Sequence, residues 1–501
     1  MRLEDFPQDI QPHLIPQVGG DLIYRCLGCG AEFSVDELWY TCPACSGVFM
    51  IIDRSFEALK KKDGRLWQKI FDYRKMLNIP AVKGIFRYQE LVGPNIPLPD
   101  VVYLGEGHTP LVKANVPLET AVGAPFYYKN DGQNPSASFK DRGMAVALSF
   151  INHLVKKKGL SNLLSICAST GDTSASAALY SAYLAGVVKS SVLLPHGKVT
   201  PQQLAQPLGS GANVFEVPGV FDDCMKIVEN LADNYHVALL NSKNAWRIKG
   251  QESYSYEIAQ DFDYQVADKA IFVPIGNAGN ITAVMSGFIN FMELGIIDGL
   301  PKVVGVQSEH ADPVYRYYLE PDNHKRKFEP VAVKPSVAQA AMIGNPVSMP
   351  RVIQVAGKYN ELAGRQRVFV VQTREQEIMD WMMRANRHGH IACTQGGESL
   401  AGLAAAVRDR VIDSSETAVL DATAHMLKFI GFQELYFQDS FPPEFHVKSK
   451  KELINQPRYV HPAGLAEVPL PGRPLTGDKF DEFVRRTAGE IAQQLGLEPK
   501  N

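Results

Sequence analysis

Short apolar runs alternate with amphipathic stretches along the chain from about residue 101 to about residue 430. The runs have the length of buried strands, and the stretches between them repeat apolar residues at helical spacing. Phe221, Met225, Val228 and Leu231, for example, share one helical face. This alternation predicts an α/β body. The predicted strands are 163–167, 191–194, 214–217, 237–240, 270–273, 303–306, 368–371 and 418–420.

The segments on either side of this body have other patterns. Residues 53–100 begin with a charged stretch, predicted helical over 56–76, and end in a proline-rich connector. Beyond residue 431 proline is frequent again, and one helix is predicted near 478–495. We therefore predict an N-terminal module at 1–52, a helical arm and linker at 53–100, the body at 101–430 and a C-terminal appendage at 431–501.

Composition and charge exclude several classes of protein. The 501 residues are 45% hydrophobic and 21% charged, as in an ordinary globular protein. A net charge of -3 provides no basic field for nucleic acid or anionic lipid. The acidic start lacks the apolar segment of a signal peptide, and no apolar run is long enough to span a bilayer. We expect a cytoplasmic protein.

Four of the seven cysteines form two pairs near the N-terminus. Cys26 and Cys29, then Cys42 and Cys45, give C-x2-C, twelve residues and C-x2-C. Two such pairs, brought together by one hairpin, offer the four-thiolate set that suits zinc. A nucleic-acid-reading ribbon and a redox centre are alternatives, but basic residues are few and no βαβ pattern surrounds the pairs. We predict a zinc-ribbon-like module that folds on a structural zinc ion.

One lysine stands between a predicted loop and a predicted helix. Residues 134–143 read Asn-Pro-Ser-Ala-Ser-Phe-Lys-Asp-Arg-Gly, and Lys140 precedes the apolar stretch 144–154. A lysine there faces the positive end of the helix dipole, which disfavours its ammonium form. A neutral lysine suits a nucleophile and base that combines with an aldehyde cofactor. The alternative is a solvated lysine at an ordinary helix start.

Three further loops each follow a predicted strand. Residues 168–174, Ala-Ser-Thr-Gly-Asp-Thr-Ser, follow the first one. Residues 276–280, Gly-Asn-Ala-Gly-Asn, carry two glycines that let the backbone close around a phosphate at a helix start. Residues 420–425 present the Asp421 carboxylate and the Thr423 hydroxyl at a strand end.

With these loops and two more motifs, the chain resembles the threonine synthases, a family of fold type II pyridoxal-phosphate enzymes. The added motifs are Gly-Glu-Gly-His-Thr-Pro-Leu at 105–111 and Asn-Ser-Lys-Asn-Ala-Trp-Arg at 241–247, and the match covers about 101–430. The resemblance implies the fold of tryptophan synthase β: two open α/β domains with the cofactor in the cleft. A smaller lobe at roughly 145–250 would be inserted in the larger one, and some relatives carry an N-terminal cysteine ribbon.

The resemblance also implies a set of site residues. Lys140 would be the catalytic residue and bind pyridoxal 5'-phosphate covalently, with Asp172 beside the ring hydroxyl and Thr423 at the pyridine nitrogen. Asp172 departs from the family, which often has asparagine there. The cofactor phosphate would lie on Gly276, Asn277, Ala278, Gly279 and Asn280. The substrate phosphate would bind Ser169, Thr170, Thr173, Lys198, Asn241, Ser242 and Arg247.

The implied reaction converts O-phosphohomoserine and water to L-threonine and phosphate, which makes the chain a carbon-oxygen lyase. Another substrate within the family is an alternative, as in cysteate synthase or serine/threonine dehydratase. A zinc-ribbon nucleic-acid-binding protein with a degenerate enzyme body is an alternative from another class. The near-neutral charge and the intact lysine loop oppose it. We expect a small phosphorylated amino acid as partner, without nucleic acid or membrane, and a homodimer as a candidate assembly.

Overall fold

The computed structural model describes residues 1–500 except 170, 197–200, 220, 414, 463 and 466; for 201–203, 221 and 222 it describes the backbone alone. The chain forms two compact units, Met1–Lys448 and Ser449–Asn501. In the described part of the chain, no helix combines the length and the apolar character needed to cross a membrane.

Every strand predicted in the α/β body is present. The strands are β1 (Leu22–Cys26), β2 (Glu32–Ser34), β3 (Phe49–Asp53), β4 (Leu111–Lys113), β5 (Phe126–Lys129), β6 (Leu163–Ala168), β7 (Val188–Pro195), β8 (Asn213–Val217), β9 (Val237–Leu239), β10 (Lys269–Pro274), β11 (Lys302–Ser308), β12 (Val368–Thr373) and β13 (Thr417–Asp421). β4 and β5 were not predicted.

The α-helices surround these strands. They are α1 (Gln11–Leu14), α2 (Phe56–Leu59), α3 (Gly64–Met76), α4 (Pro80–Lys83), α5 (Gln89–Val92), α6 (Val116–Val122), α7 (Lys140–Lys158), α8 (Asp172–Tyr183), α9 (Pro201–Gly209), α10 (Phe221–Asn234), α11 (Ala245–Gln251), α12 (Ser253–Asp261), α13 (Gly279–Glu293), α14 (Pro313–Leu319), α15 (Met349–Ala363), α16 (Glu375–Arg387), α17 (Thr394–Arg408), α18 (Ile430–Phe437) and α19 (Asp478–Leu495). The single helix predicted over 56–76 is therefore broken, since α3 begins anew after Asp63, whose side chain accepts the backbone N–H of Arg65.

Two sheets build the α/β body, which confirms the predicted fold class. The larger has the order β12-β11-β10-β13-β5-β4 and is parallel except for the β4–β5 pair. The smaller has the order β8-β7-β6-β9 and is wholly parallel. Parallel sheets gather the loops after their strands at one edge, where open α/β folds bind ligands. Each loop discussed above leaves such an edge.

The N-terminal module is a three-stranded antiparallel sheet with the order β2-β1-β3. Its strands meet the body directly, because the Tyr24 hydroxyl accepts a hydrogen bond of 2.8 Å from the Trp246 indole N–H on α11. The helices that follow join the body's core: Phe71 on α3 stacks on Phe291 of α13, with ring centroids 5.9 Å apart. Residues before 101 thus bury apolar surface against the helices that carry the candidate site.

A buried ionic cluster fixes the lysine segment to the motif at 105–111. The Arg142 guanidinium, fully buried, bonds Asp131 and Glu257, each at 2.8 Å. Asp131 accepts the Thr109 hydroxyl at 2.8 Å, and Glu257 accepts the backbone N–H of His108 at 2.6 Å. Burial opposes ionisation of Glu257, but the charges of Arg142 and its neighbours hold the Glu257 pKa well below its usual range. Buried ionic and hydrogen bonds therefore hold the two motifs in a fixed position relative to each other.

The unit Ser449–Asn501 contains one long helix, α19. Asp478 and Asp481 lie in its first turn, where carboxylates favour the positive end of the helix dipole. The helix ends at Gly496 in the left-handed conformation that glycine adopts without a Cβ clash.

Candidate active site

Lys140 is the first residue of α7, and backbone pairing holds it beside the end of β13. The Phe139 N–H donates to the Thr423 carbonyl oxygen at 2.8 Å, and the His425 N–H donates to the Ala137 carbonyl oxygen at 3.0 Å. Ala137 has a φ of 64°, a conformation that residues other than glycine rarely adopt. The lysine loop thus lies against the Thr423 loop, although the two are far apart in sequence.

The surroundings of the Lys140 amine favour its neutral form. The side chain keeps some exposure to the cleft, but the protein around the amine desolvates it. Burial, and then the positive charge of Arg247, lower the Lys140 pKa to about 7, while Asp172 and Asp421 oppose this shift. The amine is therefore poised to be a nucleophile and base near neutral pH.

Asp421 connects the Thr423 loop to the glycine loop. The Asn280 amide donates to Asp421 Oδ2 at 2.8 Å, and Asp421 Oδ1 has no partner in the described chain. Burial, and then the charge of Asp131, raise the Asp421 pKa well above its usual range. The Asp421 carboxyl therefore holds its proton more tightly than an ordinary aspartate does. From its position in the sequence, Asp421 was assigned only to a strand end.

The glycine loop at 276–280 is held from behind and leads into α13. Ala278 has a φ of 61°, and the Asn277 carbonyl oxygen accepts the Ser348 N–H at 3.1 Å. A Cβ on Gly276 would lie 3.0 Å from Ala341 Cα, and one on Gly279 would lie 3.1 Å from Ile248 Cδ1. A Cβ at either position would require its neighbour to shift by a few tenths of an ångström. The first N–H groups of α13 lack intrahelical partners and can bind an anion.

These groups fit pyridoxal phosphate. The Lys140 amine, whose pKa is lowered, interacts electrostatically with Asp421, which bonds Asn280 of the glycine loop and precedes the Thr423 hydroxyl by two residues. The donor set matches the aldehyde, the phosphate and the ring nitrogen of that cofactor. The Thr423 hydroxyl lies 3.6 Å from Cys393 Sγ, a weak partner that leaves its hydrogen-bonding capacity largely available.

Arg247 lies close enough to Lys140 to influence its pKa, and part of its guanidinium has no partner in the described chain. Its Nη1 donates to the Leu240 carbonyl oxygen at 3.0 Å, whereas its buried Nε has no partner in the described chain. Burial lowers the Arg247 pKa to about 10. A buried guanidinium without a carboxylate partner retains hydrogen-bonding capacity of the kind that a phosphate oxygen can accept.

The other predicted phosphate anchors differ in what they offer. The Asn241 amide is engaged by the backbone of Ala168, donating at 2.6 Å and accepting at 3.1 Å, so it fixes the end of β6. The Ser169 hydroxyl accepts the Gly171 N–H at 3.2 Å. Thr173 and Ser242 are half-buried. Thr170 and Lys198 lie outside the described residues.

Sequence reasoning missed Arg351, which ties three parts of the site together. Its buried guanidinium donates to the carbonyl oxygens of Phe49 (2.9 Å), Ser242 (3.3 Å) and Lys243 (3.0 Å) and to the Ser348 hydroxyl (2.9 Å). It thus connects the N-terminal sheet, the Ser242 loop and the support of the glycine loop. Arg351 stood outside every motif, so its sequence position contained no signal.

Lys428 is the second residue that sequence reasoning missed. Its amine lies 3.1 Å from Asp172 Oδ1 and also donates to the Ser136 carbonyl oxygen at 2.9 Å and to Gln206 Oε1 at 2.7 Å. The ion pair supplies a counter-charge for the aspartate that departs from the family pattern. It also bonds the loop just before Lys140.

We expect replacement of Lys428 by methionine to lower the free energy of unfolding by about 3 kcal/mol, because it leaves the buried Asp172 carboxylate unpaired. Adding Asp172→Asn should restore about half of that loss, since the unpaired charge is then removed. Urea unfolding of the two single variants and the double variant measures this cycle. Strictly additive losses would contradict the ion pair.

Known proteins are similar to this chain in sequence and in structure. A family profile described as pyridoxal-phosphate dependent enzyme matches residues 102–422. The threonine synthase of Methanocaldococcus jannaschii is 37% identical over 81% of this chain and 93% of its own length. Threonine synthase 2, chloroplastic, of Arabidopsis thaliana is 35% identical over 79% of this chain and 75% of its own.

The fold has a counterpart among solved structures. The crystal structure of threonine synthase from Escherichia coli matches with a TM-score of 0.61, at 19% identity, over 85% of this chain and 94% of that one. At this identity the likeness concerns the fold. The match of the family profile and the sequence relatives establish more: the chain belongs to the threonine synthase family of pyridoxal-phosphate-dependent enzymes.

Proposed function

We propose that the protein converts O-phosphohomoserine and water to L-threonine and inorganic phosphate. The observation that carries this proposal is Arg247, whose dry guanidinium has an unpaired Nε and lies close enough to Lys140 to lower the pKa of that amine. A substrate with a phosphate on one end and an α-hydrogen on the other spans these two groups. Membership of the threonine synthase family supports the same substrate.

Three elements would hold the cofactor. Lys140 would bind its aldehyde, residues 276–280 its phosphate, and Thr423 its ring nitrogen, with Asp172 near the ring hydroxyl. A hydroxyl at the ring nitrogen does not enforce protonation there, which suits elimination and replacement better than transamination. When bound, pyridoxal phosphate stabilises negative charge at the substrate Cα.

The protein's own groups then move protons and hold the leaving group. The neutral Lys140 amine accepts the Cα proton, and its position at the cleft lets it return a proton to the substrate carbon chain. Arg247 binds the phosphate and stabilises its added charge as the carbon-oxygen bond breaks. Ser169, Thr173 and Ser242 offer hydroxyls to the same phosphate, while Asn241 fixes the end of β6 beside them. Thr170 and Lys198 stay predicted anchors.

Product analysis tests the function. With O-phosphohomoserine we expect threonine and phosphate to form in equal amounts. With O-phosphoserine, alone or with sulfite, and with unphosphorylated serine or threonine, we expect turnover at least 100-fold lower. Phosphate release from O-phosphoserine with formation of cysteate, or 2-oxo acids from the unphosphorylated substrates, would assign one of the alternative activities instead.

We also propose that the four N-terminal cysteines bind a structural zinc ion. Their sulfur atoms all lie within 4.8 Å of one another, including Cys26 with Cys45 at 3.4 Å and Cys29 with Cys42 at 3.6 Å. A Cβ on Gly47 would lie 2.9 Å from the Cys26 sulfur. Four thiolates gathered around one point, with no space for a bulkier neighbour, match a tetrahedral zinc site.

Replacing Cys42 by serine should remove one equivalent of zinc and lower the free energy of unfolding by about 3 kcal/mol or more, because such modules fold on their metal. Since the module contacts Trp246 and Arg351, the loss should extend to the body. Elemental analysis and thermal unfolding measure both effects, and Pro43→Ala is the matched control. An unchanged zinc content in Cys42→Ser would contradict the site.

A cytoplasmic location, a homodimer and the absence of nucleic-acid and membrane partners stay predictions. The predicted domain boundaries, 1–52, 53–100, 101–430 and 431–501, likewise stay predictions.

A further inference from the structure

A second cluster of metal-ligating side chains lies apart from the cysteines and from the residues that the proposed function uses. Glu309 and His310 follow the carboxyl end of β11, and His446 comes from the segment after α18. One ligand atom from each of the three residues lies within 4.8 Å of the others. The cluster thus joins two segments that are far apart in sequence.

The hydrogen bonds of His310 leave one ring nitrogen available. Its Nδ1 lies 2.6 Å from the carbonyl oxygen of Pro335. Because a carbonyl oxygen can only accept, Nδ1 carries the hydrogen, and Nε2 of the neutral ring has a lone pair to offer. A carbonyl oxygen bonded to the far nitrogen is the usual support of a metal-ligating histidine. The ring is 3% exposed, so this orientation is fixed by its surroundings.

The available nitrogen faces a second imidazole. His310 Nε2 and His446 Nδ1 are 3.1 Å apart, and the two rings are nearly perpendicular at 77°. Two ligands that each lie about 2.1 Å from one ion are separated by about 3.0–3.4 Å in octahedral or tetrahedral coordination. The observed separation fits one edge of such a polyhedron. The alternative to a metal ion is a direct hydrogen bond, in which His446 Nδ1–H donates to His310 Nε2.

Glu309 supplies the negative charge that such an ion needs. Its side chain is half-buried, and its carboxylate accepts no hydrogen bond from the described chain. His446 is exposed and has a φ of 53°, an uncommon conformation for a residue with a Cβ. A carboxylate, a fixed imidazole and an accessible imidazole make an incomplete coordination shell that solvent can complete.

We propose that Glu309, His310 and His446 bind a divalent transition-metal ion of the zinc class. Two imidazoles and one carboxylate are a ligand set that zinc prefers, whereas magnesium and calcium prefer oxygen alone. The ion attaches the segment after α18 to the carboxyl end of β11. β11 pairs with β10, which leads into the glycine loop, so the ion stabilises the edge of the sheet on which the candidate active site is built.

Zinc stoichiometry of the full-length protein tests this site. After removal of metal with a chelator and equilibrium dialysis against buffered Zn²⁺, we expect His446→Ala to bind one equivalent less than the wild type. Glu309→Gln should bind the same ion more than about 10-fold more weakly, since it loses the charged ligand. Both side chains are at least partly exposed, so neither change should prevent folding. His324→Ala, at an exposed histidine elsewhere, is the control and should bind as the wild type does.

Cobalt separates this site from the cysteines. Co²⁺ bound to thiolates gives intense charge-transfer absorption, whereas nitrogen and oxygen ligands give only weak visible bands. His446→Ala should lose weak bands and keep the charge-transfer absorption, and Cys42→Ser should do the opposite. Unchanged zinc binding in His446→Ala would contradict the metal site and leave a hydrogen bond as the explanation of the contact between the two imidazoles. Unchanged affinity in Glu309→Gln would remove the carboxylate from the set of ligands.

Discussion

Replacing Lys140 by alanine is expected to reduce threonine formation by about 10³-fold or more, since one amine both attaches the cofactor and moves the substrate protons. The same change should abolish covalent capture of pyridoxal phosphate, measured by borohydride reduction and mass spectrometry of the intact protein. Lys157→Ala removes an amine that pairs with Asp36 on the surface and serves as control. Retained capture in Lys140→Ala, on another lysine, would contradict the assignment.

The pH dependence of this capture tests the electrostatics of the site separately. An amine with a pKa of about 7 is half neutral at pH 7, whereas an ordinary lysine is about one part in 3,000 neutral there. Capture by the cofactor-free protein should therefore speed up through pH 7 and level off above pH 8. Removing the positive charge of Arg247 stabilises the ammonium form, which raises the Lys140 pKa and moves the midpoint to higher pH. A rate that rises steadily to pH 10 would show an unperturbed lysine.

The strands and motifs could be predicted because their signals are local. Each strand that was predicted is a short apolar run, and a Cβ added to Gly276 or Gly279 would lie 3.0 or 3.1 Å from a neighbouring atom. The lysine was identifiable for the same reason, since a loop and an apolar helix flank it in sequence. Parallel strands then place these loops at one edge of a sheet, whatever the rest of the chain does.

The partners of the site residues could not be predicted, because their contacts join distant segments. Asp172 meets Lys428, and Arg351 meets Phe49, through folding alone. The Asp421 carboxyl illustrates the same limit: its raised pKa depends on burial and on Asp131, neither of which is visible at a strand end. The residue type determines which charge a side chain can carry, whereas its tertiary neighbours determine whether it carries that charge in the folded protein.

Arg351 also connects the N-terminal sheet to the loop of the proposed phosphate site. Within the described residues its guanidinium has no carboxylate partner and bonds neutral oxygens of β3, the Ser242 loop and Ser348, so the positive charge persists in a dry interior next to the proposed phosphate site. Burial lowers the Arg351 pKa to about 10, which still leaves it charged at neutral pH. A buried positive charge behind the Ser242 loop favours an anion in front of it.

Replacing Arg247 by methionine is the second change with a large expected effect. Methionine preserves much of the apolar stem but removes the guanidinium, so about two charge-assisted hydrogen bonds to the substrate phosphate are lost. At about 2 kcal/mol each, kcat/KM for O-phosphohomoserine should fall by about 10³-fold. Competitive inhibition by inorganic phosphate should weaken in parallel, because phosphate binds the same anion site and its binding does not depend on the catalytic step.

Arg247→Lys separates charge from geometry at this position. Lysine keeps the positive charge but lacks the planar fork, so it should recover only part of the loss, about 10-fold. Borohydride-trapped cofactor and the unfolding temperature should remain close to those of the wild type in both variants, since the cofactor is held by other groups. If phosphate inhibits Arg247→Met as strongly as the wild type, the guanidinium bonds only Leu240 and the substrate phosphate lies elsewhere in the cleft.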